Sequence, residues 1–212
     1  MATQREDILN SACDLYLAEG LEGFSMRQLA RRVGVTAPAL YRHYENKEAV
    51  LAEVVGEAYE RLLRYLSRAL EGDTPVERFR RAGRGYLDFA LENARLYQML
   101  YASRDVLGME RMSEEARTQA CAIGQFWRDR VREVMDAGFL EEGDPEQVAV
   151  TLWSHAHGLI ALHLRGMLDV DEEAFRNLYV ASTRRVLRGL ASDGARSRMS
   201  ESEDPRLESV RE

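Results

Sequence analysis

The chain has 212 residues, 45% of them hydrophobic, enough to bury a core in one medium domain or in a small head on a larger body. A formal net charge of −7 argues, taken as a total, against a nucleic-acid partner, but the charge is unevenly spread. Between Arg27 and Lys47 five cations (Arg27, Arg31, Arg32, Arg42, Lys47) stand against Glu45 alone, a local +4 on an anionic whole.

The periodicity is helical from end to end, with no sustained strand-like alternation. A first helix runs from about Gln4 to Glu19, with Ile8, Ala12, Leu15 and Tyr16 on one face, and Gly20 ends it. Ser25 opens a second, with Gln28 three residues on in the capping-box spacing, and Gly34 stops it. Thr36 caps a third, in whose first turn Pro38 needs no backbone donor. Asn46 caps a long fourth helix reaching about Leu70, and Gly72-Asp73-Thr74-Pro75 breaks the chain before a helix that ends near Glu92. A shorter helix from about Ala94 to Tyr101, a loop over Ser103–Gly108 and a long helix from Glu110 to Ala137 follow. Asp144 and Pro145 begin a helix ending near Gly166, and Asp171 to Leu190 form another. From Ala191 the composition of Ser, Asp, Glu, Arg and Gly predicts a disordered tail. The expected architecture is all-α, with about nine helices: a head over residues 1–48, a body over 49–190 and the tail over 191–212.

Cys13 and Cys121 lie far apart within helical apolar patterns, which suits a reducing cytoplasm better than a disulfide framework, and no secretory signal is visible at the N-terminus. Val148 to Leu164 carries no Asp, Glu, Lys or Arg and approaches the lower length limit for a membrane span. Its His155, His157, His163, Thr151, Ser154 and Gly158 would be costly in hydrocarbon, so a helix buried inside a protein bundle is expected, without a membrane partner.

Residues 25–47 read as two short helices around a glycine turn, a helix-turn-helix. Leu29, Ala30, Val33, Val35 and Leu40 supply the apolar interior that fixes the angle between the helices. Thr36, Ala37, Pro38 and Ala39 are small or polar, so the front of the second helix can approach base edges in a major groove. Tyr41 and His43 can donate to phosphate oxygens, and Arg42 can reach a phosphate or a guanine edge. Lys47, at a helix start, can join free backbone amides in clamping a phosphate. Tyr44 packs the head in this reading, and Arg31 and Arg32 are solvated charges.

The runs Phe24-Ser25-Met26-Arg27-Gln28-Leu29-Ala30, Val33-Gly34-Val35 and Leu40-Tyr41-Arg42-His43-Tyr44-Glu45-Asn46-Lys47-Glu48-Ala49-Val50-Leu51 resemble the head of the TetR family of transcriptional regulators, over roughly the first quarter of the chain. The resemblance implies that Ser25 and Arg27 contact phosphate and a base. It assigns Thr36, Ala37, Pro38, Ala39, Tyr41, Arg42 and His43 to the recognition surface, and Lys47 to a phosphate anchor. Ala37 and Ala39 are apolar where a stronger base reader would carry Gln or Thr, which throws readout onto Arg27, Arg42 and methyl contacts with thymine.

Such a head reads few base pairs, so specificity calls for a homodimer on an inverted-repeat operator in double-stranded DNA, and the last two helices offer the apolar surface for it. Tyr86, Phe89, Tyr97, Met99, Met109, Met112, Phe126, Trp127 and Trp153 either fill a solid core or line a pocket for a small, largely apolar effector; the resemblance implies the pocket. Trp153-Ser154-His155-Ala156-His157-Gly158 resembles a Trp-x-x-x-His-Gly signature of one C-terminal subfamily, and Trp153 and His157, four apart, share a helical face where they can stack or share a ligand. The histidine spacing does not suit a metal, and no cofactor is expected. The sequence carries no nucleophile–base pair or phosphate loop for an enzyme; a carrier with a vestigial head and an activator remain as the other readings.

Overall fold

Capping chemistry sets the helix boundaries. The computed structural model describes residues 4–102 and 114–201, in which α1 (Gln4–Gly23) is interrupted at Gly20, whose φ of 65° suits glycine. Ser25 caps α2 (Met26–Arg32): its Oγ accepts from the Gln28 amide at 3.2 Å and donates to Gln28 Oε1 at 2.7 Å, so the Ser-x-x-Gln pair closes through its two side chains. Gly34, at φ 71°, ends α2 in a Schellman turn, with Val35 N reaching Ala30 O at 3.0 Å and Gly34 N reaching Arg31 O at 3.4 Å. Thr36 Oγ1 accepts from the Ala39 amide at 3.3 Å to start α3 (Ala37–Tyr41), and Asn46 Oδ1 accepts from the Ala49 amide at 2.8 Å to start α4 (Lys47–Ser67).

A 3₁₀ turn (Arg68–Glu71) leads to α5 (Pro75–Glu92), α6 (Ala94–Ala102), α7 (Glu114–Asp136), α8 (Pro145–Leu164), α9 (Glu172–Leu190) and α10 (Asp193–Glu201). Gly138 and Gly166 end α7 and α8 with the same left-handed glycine turn as Gly34. The architecture is all-α as the periodicity predicts, with ten helices among the described residues. The loop expected over Ser103–Gly108, and a start of α7 near Glu110, lie outside those residues.

The chain forms two compact units that do not divide at residue 48. The first takes residues 1–67 and 88–123, the second residues 68–87 and 124–212, so α5 and α7 each contribute to both. In the first unit α4 packs on α1 and α6, and α2 on α1 and α3. Leu15, Leu29, Leu40, Leu51 and Leu62 are fully buried there, each worth about 1.5–3 kcal/mol of burial. Arg95 Nη1 spans both carboxylate oxygens of Asp14 at 2.7 and 2.8 Å, tying α6 to α1.

In the second unit Phe79, Val131, Val134, Met135 and Leu140 form a core against which Val148, Leu152 and Leu187 pack. Arg130, 8% exposed, reaches Glu133 at 2.7 Å, and Arg78 reaches the same carboxylate at 3.1 Å, so the buried cation is compensated. The helix α8 packs along α9, where His163 lies flat on Phe175 with ring centroids 3.9 Å apart. Within one chain α8 buries only Ala156 and Ile160; Val150 and Leu162 remain 52% and 38% exposed. The burial on most sides expected of this uncharged helix is therefore not met by a single copy. No helix among the described residues is long and apolar enough to cross a membrane.

The expectation of disorder from Ala191 onward is corrected for residues 191–201. Leu140 and Ala191 form an antiparallel bridge, Ser192 Oγ donates to Gly138 O at 2.7 Å and accepts from the Ala195 amide, and α10 follows. Ala191 and Ala195 are fully buried, and Arg196 donates to Ala191 O at 2.8 Å and to Glu141 at 3.1 Å. A polar composition concealed a segment held by two small buried side chains and one arginine. Residues 202–212 lie outside the described part.

Candidate nucleic-acid interface

Four arginines of the helix-turn-helix stand without an ion-pair partner. Arg27, Arg31, Arg32 and Arg42 are exposed and make no ion pair among the described residues, whereas Arg5, Arg61, Arg64, Arg81 and Arg95 are all paired with carboxylates. The helix α3 buries Leu40 and turns Thr36, Pro38 and Tyr41 outward, Tyr41 being 51% exposed; Ala37 and Ala39 are half-buried. Arg42 and His43 follow on the exposed side. Tyr44 is buried, in keeping with a packing role, and burial with a hydrogen bond to Glu53 pushes its phenol up to about 12.

Ser25 spends its hydroxyl on Gln28, which in turn donates to Glu19 at 3.0 Å, so Ser25 first positions α2. Lys47 is half-buried, and its Nζ donates to Leu21 O at 2.8 Å, leaving two of its three protons for another acceptor. Thus Ser25, Arg27, Thr36, Pro38, Tyr41, Arg42, His43 and Lys47 all lie in the first unit at least partly exposed, Arg42 and His43 beside one cleft, with Ala37 and Ala39 partly covered. The cleft beside Arg42 and His43 is also lined by Gln4 and Arg5, which the sequence reading missed. Their separation from Arg42 and His43 by more than thirty residues left no local signal.

The residues expected around an effector divide between the two units. Phe89, Tyr97 and Met99 lie in the first unit, fully or nearly fully buried, with Phe89 set edge-on to Tyr65 at 5.7 Å and Tyr97 at 4.9 Å from Tyr101. Tyr86, Phe126, Trp127, Trp153 and His157 cluster in the second unit. Trp127 meets Tyr86 at 6.1 Å and Phe126 at 5.7 Å, both edge-on; Trp153 Nε1 donates to the Tyr86 hydroxyl at 3.2 Å and Trp153 stacks on His157 at 5.6 Å. Burial, with the Arg165 charge adding to it, lowers the pKa of His157. The Trp127 indole N–H is buried without a hydrogen-bond partner among the described residues, beside the Tyr86 and Phe126 rings. Met109 and Met112 lie outside the described residues.

Comparison with known proteins matches two family models: bacterial regulatory proteins of the tetR family over residues 8–54, and the tetracyclin repressor-like C-terminal domain over residues 79–190. The chain is 34% identical over 171 residues to the tetracycline repressor protein class A from transposon 1721 of Escherichia coli, covering 80% of this chain and 71% of that one. Its match to the class C tetracycline repressor of Escherichia coli is 48% identical but spans only 48 residues, 23% of this chain and 22% of that protein. Among solved structures, the TetR family regulator PfmR from Thermus thermophilus superposes with a TM-score of 0.67 at 25% identity, covering 84% of this chain and 97% of that one.

Proposed function

The chain belongs to the TetR family of transcriptional regulators, and from that premise we propose that it is a repressor. In this reading a homodimer holds an inverted-repeat operator and lets go when a small, largely apolar effector enters its body. The observation that carries the reading is the set of exposed, uncompensated arginines around a capped helix-turn-helix: Arg27, Arg31, Arg32 and Arg42 have no carboxylate among the described residues to neutralise them, so phosphate can. Thr36, Ala37, Pro38 and Ala39 bring the start of α3 to the bases, Tyr41 and His43 donate to the backbone, and Arg42 reaches a phosphate or a guanine. Ser25 and Lys47 fix the entry of α2 and α4 on flanking phosphates, with Arg27 beside them.

The dimer seam is the face of α8 and α9 that one copy leaves open, where Val150, Ser154 and Leu162 are exposed on α8 and Asn177, Val180 and Ala181 on α9. Tyr86, Phe126, Trp127, Trp153 and His157 form the effector wall, and the unmet Trp127 N–H selects an effector with a hydrogen-bond acceptor on an apolar frame. To empty the operator almost completely, that effector must favour the released state by about 5.5 kcal/mol.

Selection of duplexes from a random pool by the purified chain tests the reading. Enrichment of inverted repeats with half-sites about one helical turn apart is the expected result; no enrichment at low salt sinks it. Trp127 and Trp153 are the only tryptophans, so their emission should change on titration with apolar compounds that displace the selected duplex. Displacement with unchanged emission would move the effector site elsewhere.

A further inference from the structure

In the second unit, Arg81 pairs with Glu77, Arg128 with Glu146 at 3.5 Å and Arg132 with Asp129 at 3.6 Å, each cation with a carboxylate of its own. Arg78 and Arg130 share one. Glu133 Oε2 lies 3.1 Å from Arg78 Nε, and Glu133 Oε1 lies 2.7 Å from Arg130 Nη2. Neither guanidinium has another carboxylate within ion-pair reach among the described residues, so the trio carries one positive charge in excess. Its most sheltered member is Arg130, only 8% exposed, and a charge kept from water is costly unless an opposite charge meets it.

Arg130 is short of a hydrogen bond as well as of charge. Its Nε–H is buried without a partner among the described residues, and so is the indole N–H of Trp127, one turn earlier on α7. Residues three apart on a helix are neighbours on one face. Both side chains touch the same ring: the Arg130 guanidinium carbon lies 5.2 Å from the Phe126 centroid, and the Trp127 ring meets Phe126 edge-on at 5.7 Å. The Phe126 face attracts the guanidinium but offers neither N–H a lone pair. A surplus charge of one and two unmet donors therefore adjoin the aromatic side chains of Tyr86, Phe126 and Trp127.

We propose that Trp127 and Arg130 anchor a carboxylate, so that the effector is an apolar monocarboxylate whose anionic group accepts from both N–H groups. A single negative charge balances Arg78, Arg130 and Glu133, and the apolar frame packs on the rings beside them. The inference rests on the effector reading above and names the chemical class that the reading leaves open.

The test is isothermal titration calorimetry of the full chain, without DNA, with hexanoate, decanoate, benzoate and phenylacetate, each beside its matched primary alcohol. At least one acid should bind, and about tenfold tighter than its alcohol, as one charge-assisted hydrogen bond supplies. Arg130→Met should erase that preference and leave the alcohol's affinity unchanged; Arg78 still neutralises Glu133, and Met refills the space. Arg128→Met removes a neighbouring charge already paired with Glu146 and should leave the preference intact. The proposal is overturned if no acid binds, if no acid binds tighter than its alcohol, if the preference survives Arg130→Met, or if Arg128→Met removes it equally. Should Arg130→Met fail to fold, Trp127→Phe replaces it, and an unchanged preference then counts against the anchor. Acids that bind with this preference but leave a selected duplex in place sink the effector reading and spare the anchor. Alcohols that bind and release the duplex as well as the acids do sink the anchor and spare that reading.

Discussion

Replacing Arg42 with Ala tests the interface most directly, because the structure gives a number to compare. Arg42 is the C-cap of α3, exposed, without an ion pair among the described residues, so its charge is available to DNA in full. If it contacts a phosphate, a dimer loses two such contacts, and the slope of log affinity against log salt becomes shallower by about 1.8, at about 0.9 for each contact. Over a fourfold rise in salt the wild type should then lose roughly twelvefold more affinity than the variant. If Arg42 instead bonds a guanine edge, the slope stays put and the selected duplex alone suffers, by about 1–3 kcal/mol for each half-site. Anisotropy titrations of selected and scrambled duplexes at several salt concentrations separate these outcomes. Arg64→Ala is the control: Arg64 already pairs with Glu60 at 2.6 Å and Glu57 at 3.4 Å on α4 and should leave both quantities unchanged. An Arg42→Ala chain that matches wild type in slope and in affinity on both duplexes would refute the reasoning from uncompensated charge.

Three further outcomes are expected. Asn46→Ala removes the α4 cap and should cost about 1 kcal/mol, or about 2–4 °C of melting temperature in a chain of this size, read by thermal circular dichroism. Leu162→Glu places a charge on the open face of α8, so sedimentation should show monomers where the wild type is dimeric; a persisting dimer would assign the seam elsewhere. His157 has its pKa lowered from 6.5 chiefly by burial, so the unfolded chain binds its proton first; this site's contribution should fall as pH drops through about 6.5 and level off below the folded value. Urea unfolding of wild type and His157→Asn between pH 5 and 8, roughly the titration range of histidine, would show the difference in slope, and parallel curves would contradict it.

Most of the fold was legible because its punctuation is chemical. Ser25, Thr36, Asn46, Asp144 and Asp171 each accept from a backbone amide at a helix start, and Gly34, Gly138 and Gly166 each take the left-handed conformation that ends one. These signals act over three or four residues, so a sequence displays them. The helix α10 carries no comparable pattern: burial of Ala191 and Ala195 depends on α7 and the end of α9 being in place. The Arg5–Glu53 pair joins positions 48 apart and was likewise invisible. Of the residues proposed to line an effector site, sequence showed some neighbourhoods and not others. Helical spacing put Trp153 beside His157, but it could not tell that Phe89 and Tyr86, three apart on α5, belong to different compact units.

The charge pattern ties the local sequence to the proposed function. Outside the head, arginines follow glutamates by four residues, as in Glu57–Arg61, Glu60–Arg64, Glu77–Arg81 and Glu172–Arg176, and each pair closes along its own helix. Inside the head the positions four away from Arg27, Arg31, Arg32 and Arg42 are Gly23, Arg31, Arg27, Val35, Gln28, Thr36, Pro38 and Asn46, none of them acidic. These four body arginines are paired along their own helices and these four head arginines are not, a difference that follows from their spacing from Glu. With a Debye length of about 8 Å at physiological salt, a duplex touching those arginines senses them more strongly than charges lying farther away than that. An overall −7 therefore does not by itself oppose DNA binding through the proposed interface.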